Sequence, residues 1–239
     1  MQQRHGLRDH PRLRVDRVDV DVAGHARRLG PPRVAGAAPV SPGKTDDVLL
    51  RIAVALAAAL GVLTALLAAG VDLPGDAPLL RQAAAVDALD RPAELVSRGT
   101  GYAAVGVLTA GVVALLVRIG RGRTAFGAAV AVAGAVGGNA ALKLLVDRPR
   151  PATADPSVSD LSYPSGHAAA TVALLLAVLM AAGIRRWLLA SGALLVLASA
   201  GAQLVLGLHH PSDLVGGWLW AGSWTLAVWS WCARPVRPG

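Results

Sequence analysis

Polar and apolar residues segregate into long blocks along this chain. Apolar stretches cover residues 48–70, 101–117, 125–146, 167–183, 188–208 and 214–231, each near the roughly 20 residues that a helix needs to cross hydrocarbon. A lipid solvent offers no water to backbone N–H and C=O groups, so such stretches satisfy those groups internally and become helices. The pattern predicts an all-α integral membrane bundle of about six transmembrane helices. Between the first two stretches, LLRQAAAVDALDRPAELVSRG (79–99) keeps apolar residues at helical spacing with charges between them. That predicts an amphipathic helix lying at the interface. The third stretch carries Gly134 and Gly138, a small-residue pair one turn apart that lets helices approach closely.

Composition supports the membrane reading, because 54% hydrophobic and 16% charged residues over 239 positions are too apolar for an ordinary soluble domain. The net charge of +8 is divided between an N-terminal segment and short inter-helix loops, with no basic surface interleaved with aromatics. Anionic membrane lipids, and not nucleic acid, are the partner this implies. A single cysteine, Cys232, excludes an internal disulfide and a cysteine metal cluster, and reads as a packing residue. Residues 1–47, rich in Arg, Asp, Pro and Gly without helical period, are expected to form a disordered basic N-terminal tail. Residues 48–232 then make the membrane domain and 233–239 a short cytoplasmic tail. Arg51, Arg118, Arg121, Arg123, Arg185, Arg186, Arg234 and Arg237 flank helix ends on one side, which the positive-inside rule assigns to the cytoplasm. Both termini are therefore expected in the cytoplasm, and residues 71–100, 143–166 and 209–213 on the outer face.

Three strings on that outer face hold the polar chemistry: KLLVDRPRP (143–151), YPSGH (163–167) and LHHPSD (208–213). Ionised groups beside hydrocarbon cost roughly 2.5 to 3.5 kcal/mol each on insertion scales, so their concentration marks a functional site. In the first string, Lys143 follows Asn139 by one helical turn, and Lys143 and Arg150 offer a point charge and a planar fork for phosphate oxygens. Interfacial snorkelling accounts for the same cations. In the second, Ser165 and Gly166 precede a helix starting around His167, and first-turn N–H groups with a Ser hydroxyl make an anion site. An ordinary Ser N-cap fits there as well. In the third, His209 and Asp213 lie four residues apart, so the carboxylate can hold one ring nitrogen and leave the other as nucleophile or base. Asp213 also fits as a cap of the last helix. His210 is the rival nucleophile, disfavoured because no acid follows it by four residues.

In order and placement, K-x6-RP, PSGH and H-x3-D resemble the type 2 phosphatidic acid phosphatase superfamily, over about residues 48–231. The resemblance implies metal-independent hydrolysis of a lipid phosphate or diphosphate, without a cofactor, at the outer face of the cell membrane through a phosphohistidine. Polyprenyl diphosphate, phosphatidic acid and phosphatidylglycerophosphate are the substrate classes it admits, with membrane lipids as a further partner. It makes His209 the nucleophile, Asp213 its orienting acid and His167 the proton donor to the leaving oxygen. Lys143, Arg150, Ser165 and Gly166 would bind the phosphoryl oxygens. The family's third motif has Ser-Arg six residues before its histidine, where this chain has Ala202 and Gln203. Gln203 in the arginine's phosphate-binding place brings a hydrogen bond without charge, and one lost transition-state donor costs about 2.7 to 4 kcal/mol. Weakened turnover follows, or alternatively a catalytically impaired member that binds lipid phosphates.

Overall fold

The computed structural model describes residues 42–155, 157 and 161–233. The tails expected at either end lie outside these residues up to position 41 and from position 234. The α-helices are α1 (Pro42–Ala68), α2 (Asp76–Ala84), α3 (Asp90–Thr100), α4 (Tyr102–Arg118), α5 (Gly122–Val146), α6 (Gly166–Ala182), α7 (Arg186–Val205) and α8 (Pro211–Ala233). Each of the six apolar stretches becomes one of them. The first helix starts earlier than expected, since residues 42–47 belong to α1 and not to the tail. Pro42 at the first helical position explains this, because its φ is preset and its missing N–H is not needed there.

The amphipathic segment departs from expectation too. It forms α2, a short 3₁₀ turn at Asp87–Leu89 and α3, where one continuous helix was expected. Pro92 forces the break, since a proline ring inside a helix clashes with the carbonyl four residues back. It is tolerated in the first turn of α3, where it sits. The amphipathic character survives: Ala93 and Thr100 are buried, while Arg98 and Glu94 form an exposed ion pair at 3.1 Å.

Helices α1, α5 and α7 are long and apolar enough to cross a bilayer unaided, and α3 with α4 forms a further candidate span bent by 42°. Large apolar side chains face outward along them; Val62, Val107 and Leu194 are each more than 60% exposed, the surface that lipid requires. Helix α6, with 17 residues, is about 26 Å long at 1.5 Å per residue, short for a span. It packs against α4, α5, α7 and α8, and Ala168, Ala169, Ala170, Ala173 and Ala177 are buried. Small side chains let four neighbours close around it. Helix α8 packs against α1, α5 and α6. A Cβ at Gly134 or Gly138 of α5 would run into the indoles of Trp224 and Trp220 of α8, so that glycine pair serves close packing, as expected. Trp220 Nε1 also donates to Ala135 O at 2.8 Å.

Polar contacts distinguish the two ends of the bundle. At one end, Arg121 donates to Ala181 O at 2.5 Å, Arg123 to Trp231 O at 2.9 Å, and Ser230 Oγ to Asp46 O at 3.3 Å. The start of α1, the α4–α5 turn and the ends of α6 and α8 therefore share this end. All three motif strings lie at the other.

Candidate active site

The site is assembled where α5, α6, α7 and α8 end or begin. Helix α5 stops at Asp147, which caps it in the left-handed region at φ 52°, and the chain then turns back across the bundle end. Asn139 and Lys143 share a face of α5, as their spacing implied. Asn139 Nδ2 donates to Pro164 O at 3.0 Å and Lys143 Nζ donates to Leu161 O, so both hold the segment leading into α6. That segment is fixed further by Ser162 Oγ on Pro149 O at 2.9 Å and by the Ser165 N–H on Asp213 O at 2.9 Å.

Ser165 takes the N-cap position of α6 in extended conformation without a side-chain cap bond. Its hydroxyl is buried with no hydrogen-bond partner among the described residues. A capping role alone would have used that oxygen, since an unsatisfied buried hydroxyl costs about 1 to 3 kcal/mol. Gly166 leaves room for the Tyr102 hydroxyl, which a Cβ there would strike and displace. Tyr102 begins α4, and its ring centroid lies 6.2 Å from that of His167.

His209 sits between α7 and α8, 2% exposed. Arg150 Nη1 donates to Leu208 O at 2.7 Å and approaches His209 Nε2 at 3.0 Å. A guanidinium can only donate, so Nε2 presents its lone pair and the ring proton belongs on Nδ1. That nitrogen is 3.5 Å from Asp213 Oδ2. Burial lowers the His209 pKa to about 4, with Asp213 opposing and the Arg150 and Lys143 charges adding to the shift. The ring is neutral at neutral pH, the state a nucleophile needs.

Spacing does not separate the two adjacent histidines as expected. His210 Nδ1 is also 3.5 Å from Asp213 Oδ2, and the His210 N–H donates to the same oxygen at 2.8 Å. A carboxylate in the first turn of α8 reaches back equally to the third and fourth preceding residues. Arg150 distinguishes them, because it fixes a lone pair on His209.

Behind Asp213 lies a cluster that no motif announced. Arg148 Nη1 donates to Asp213 Oδ1 and Ser212 Oγ, both at 2.7 Å, and Nη2 donates to Asp76 Oδ2 at 2.8 Å. Asp76, in the first turn of α2, accepts from the Ser212 N–H at 2.9 Å and from Ser212 Oγ at 2.5 Å. Burial alone would lower the Arg148 pKa, yet its two carboxylate partners raise it. Arg148 was visible as a cation on an unexpected face; Asp76 carried no sequence signal.

His167 Nε2 lies 3.2 Å from Ser97 O and 3.4 Å from Ser97 Oγ. Gln203, 1% exposed, donates from Nε2 to Ser97 Oγ at 3.0 Å. Thus Lys143, Arg150, Ser165, Gly166, His167, His209 and Asp213 converge on one end of the bundle, and Gln203 joins them through Ser97. Two cavities adjoin. One of about 410 Å³ is lined by Arg148, Arg150 and His210. The other, about 620 Å³ and mostly apolar, runs between α4 and α5 from Val113 up to Tyr102.

A bundle of apolar helices with cations, a helix N-terminus and a buried imidazole gathered at one end defines a class: an integral membrane protein with a polar site at one end of its helices. Residues 124–237 match the family model of the PAP2 superfamily. The match is narrower than the expected 48–231, leaving out α1 to α4. A curated relative, the decaprenylphosphoryl-5-phosphoribose phosphatase of Mycolicibacterium smegmatis, is 38% identical over 81 residues, which is 32% of this chain and 42% of that protein. The chain thus spans less than half the length of that relative. The crystal structure of a transmembrane PAP2-type phosphatidylglycerolphosphate phosphatase from Bacillus subtilis shares the fold. Its TM-score is 0.60 at 15% identity, covering 72% of this chain and 92% of that one.

Proposed function

We propose that this protein is a membrane phosphatase acting on a lipid phosphate or diphosphate. The observation that carries the reading is the His209 imidazole, buried and neutral, with its Nε2 lone pair on the Arg150 guanidinium, which an incoming phosphoryl group would draw onto its own oxygens. His209 Nε2 attacks phosphorus and forms a P–N bond as the P–O bond to the lipid breaks. The leaving oxygen takes a proton from His167. Water then attacks the phosphohistidine, giving its proton to His167 and releasing phosphate, so the enzyme returns to its starting state. Asp213 faces the Nδ1 proton and offsets the positive charge that the ring gains. Lys143, Arg150, the Ser165 hydroxyl and the Gly166 N–H surround the phosphoryl oxygens; fixed donors around spreading negative charge are the main source of rate in such transfers.

The apolar cavity between α4 and α5 supports a lipid substrate, since it ends at Tyr102 beside Gly166. A tail can remain in hydrocarbon while its head meets the polar end. Polyprenyl diphosphate, phosphatidic acid, phosphatidylglycerophosphate and a polyprenyl-linked sugar phosphate form the test panel. Phosphate release by purified protein in detergent is expected from at least one of these and is abolished in His209→Ala. EDTA leaves the rate unchanged, because Lys143 and Arg150 supply the positive charge; inhibition reversed by added divalent metal would refute that assignment. A second reading, a lipid-phosphate binding protein without turnover, draws on Gln203 lacking the arginine's charge. It would prevail if the lipids bind and none is hydrolysed.

A further inference from the structure

The mechanism above gives Gln203 no task, and Ser97 enters it nowhere. Ser97 contacts His167, and Gln203 contacts Ser97. Helix α3 ends at Thr100, and its cap residue Gly101 bonds its N–H to Arg98 O. Ser97 O is therefore left without the amide four residues on that would complete the helix, as carbonyls in a last turn are. The His167 Nε2 lies 3.2 Å from this oxygen. A carbonyl only accepts, so this contact places a proton on Nε2 and assigns proton transfer to the other ring nitrogen, Nδ1. Orientation of one imidazole nitrogen by a fixed acceptor is how proteins set which nitrogen does the chemistry.

The acceptor itself is held by α7. Gln203 Nε2 donates to Ser97 Oγ at 3.0 Å, and Ser199 Oγ, one turn earlier, donates to Thr100 Oγ1 at 3.0 Å. Ser199, Thr100 and Gln203 are all buried. These two bonds, one buried and one part-buried, lie one helical turn apart and pin the last turn of α3 to α7.

We propose that Ser97 and Gln203 are positioning residues for His167: Gln203 anchors Ser97, and Ser97 holds the imidazole with Nδ1 directed at the leaving oxygen. The neutral amide at 203 thus serves the proton donor in place of the phosphate. This rests on His167 being the acid that protonates the leaving group.

The leaving group supplies the test. An alkoxide from a lipid alkyl phosphate needs a proton to depart, whereas 4-nitrophenolate does not. Purified full-length Ser97→Ala and Gln203→Met are each expected to lower kcat on an alkyl lipid phosphate about 3- to 10-fold, the value of one hydrogen bond. KM stays unchanged, and kcat on 4-nitrophenyl phosphate changes less than twofold. The double variant is no slower than the slower single, because both interrupt one chain, and Ser97→Thr, which keeps the hydroxyl, restores the rate. Equal losses on the two esters would reduce the pair to a structural role and overturn the proposal. A gain in Gln203→Arg would overturn it too, by giving position 203 to the phosphoryl group. His167→Ala tells the two levels apart. If it shows no contrast between the esters, the acid role of His167 fails and the proposal with it. If it shows the contrast and the Ser97 and Gln203 variants do not, the proposal alone fails.

Discussion

In the proposed mechanism, Arg150 distinguishes two neighbouring histidines. Asp213 Oδ2 stands 3.5 Å from both Nδ1 atoms, so the acid cannot select between them, whereas the guanidinium lies 3.0 Å from the Nε2 of His209. Substitution of His209 is expected to abolish turnover and acid-labile phosphoenzyme formed from 32P-substrate, while His210→Gln retains both; the reverse pattern would move the nucleophile to His210. The lowered pKa has a sign that can be measured. Below pH 6.5 an unfolded chain protonates this imidazole, but the folded protein does so only below about 4. Folding stability from this group is thus lost as pH falls from 6.5 towards 4, and His209 remains a competent nucleophile across that window. The acidic limb of kcat/KM, after division by the separately measured ionisation of the substrate, is expected near pH 4. A limb near 6.5 would indicate an ordinary exposed imidazole.

Between elements, Arg148 joins the start of α2 to the start of α8 by salt bridges to Asp76 and Asp213 whose side chains are at most 15% exposed. A buried pair broken from one side costs about 3 to 5 kcal/mol, because it leaves an uncompensated charge. Arg148→Met strands two carboxylates and is expected to lower the melting midpoint in detergent by roughly 6 to 20 °C. A shift under two degrees would show that water reaches the cluster. What the sequence disclosed at this scale follows from distance along the chain. Asn139 and Lys143 share a helix face, and Ser165 with Gly166 shares a turn, so local periodicity exposed them. Asp76 meets Arg148 across 72 positions and Ser97 meets Gln203 across 106; no local rule connects such pairs. The break before α3 was legible and missed, since Pro92 already forbade a continuous helix over 79–99.

Across the whole molecule, charge is distributed by end. Arg51, Arg118, Arg121, Arg123, Arg185 and Arg186 belong to the end where α1 and α5 start and α8 finishes. Lys143, Arg148 and Arg150 lie at the motif end, where Arg148 is paired with both Asp76 and Asp213. The six arginines of the opposite end outnumber these three cations, and the positive-inside rule predicts that end in the cytoplasm. Single cysteines at exposed Ser157, beside the motifs, and at exposed Ile184, in the α6–α7 turn, test this in a Cys232→Ser background. An impermeant thiol reagent on intact cells is expected to label Ser157→Cys and to reach Ile184→Cys only after the membrane is opened. Labelling of Ile184→Cys alone on intact cells would invert the bundle, turn the phosphate site to the cytoplasm, and require that its lipid substrates be presented on the inner leaflet.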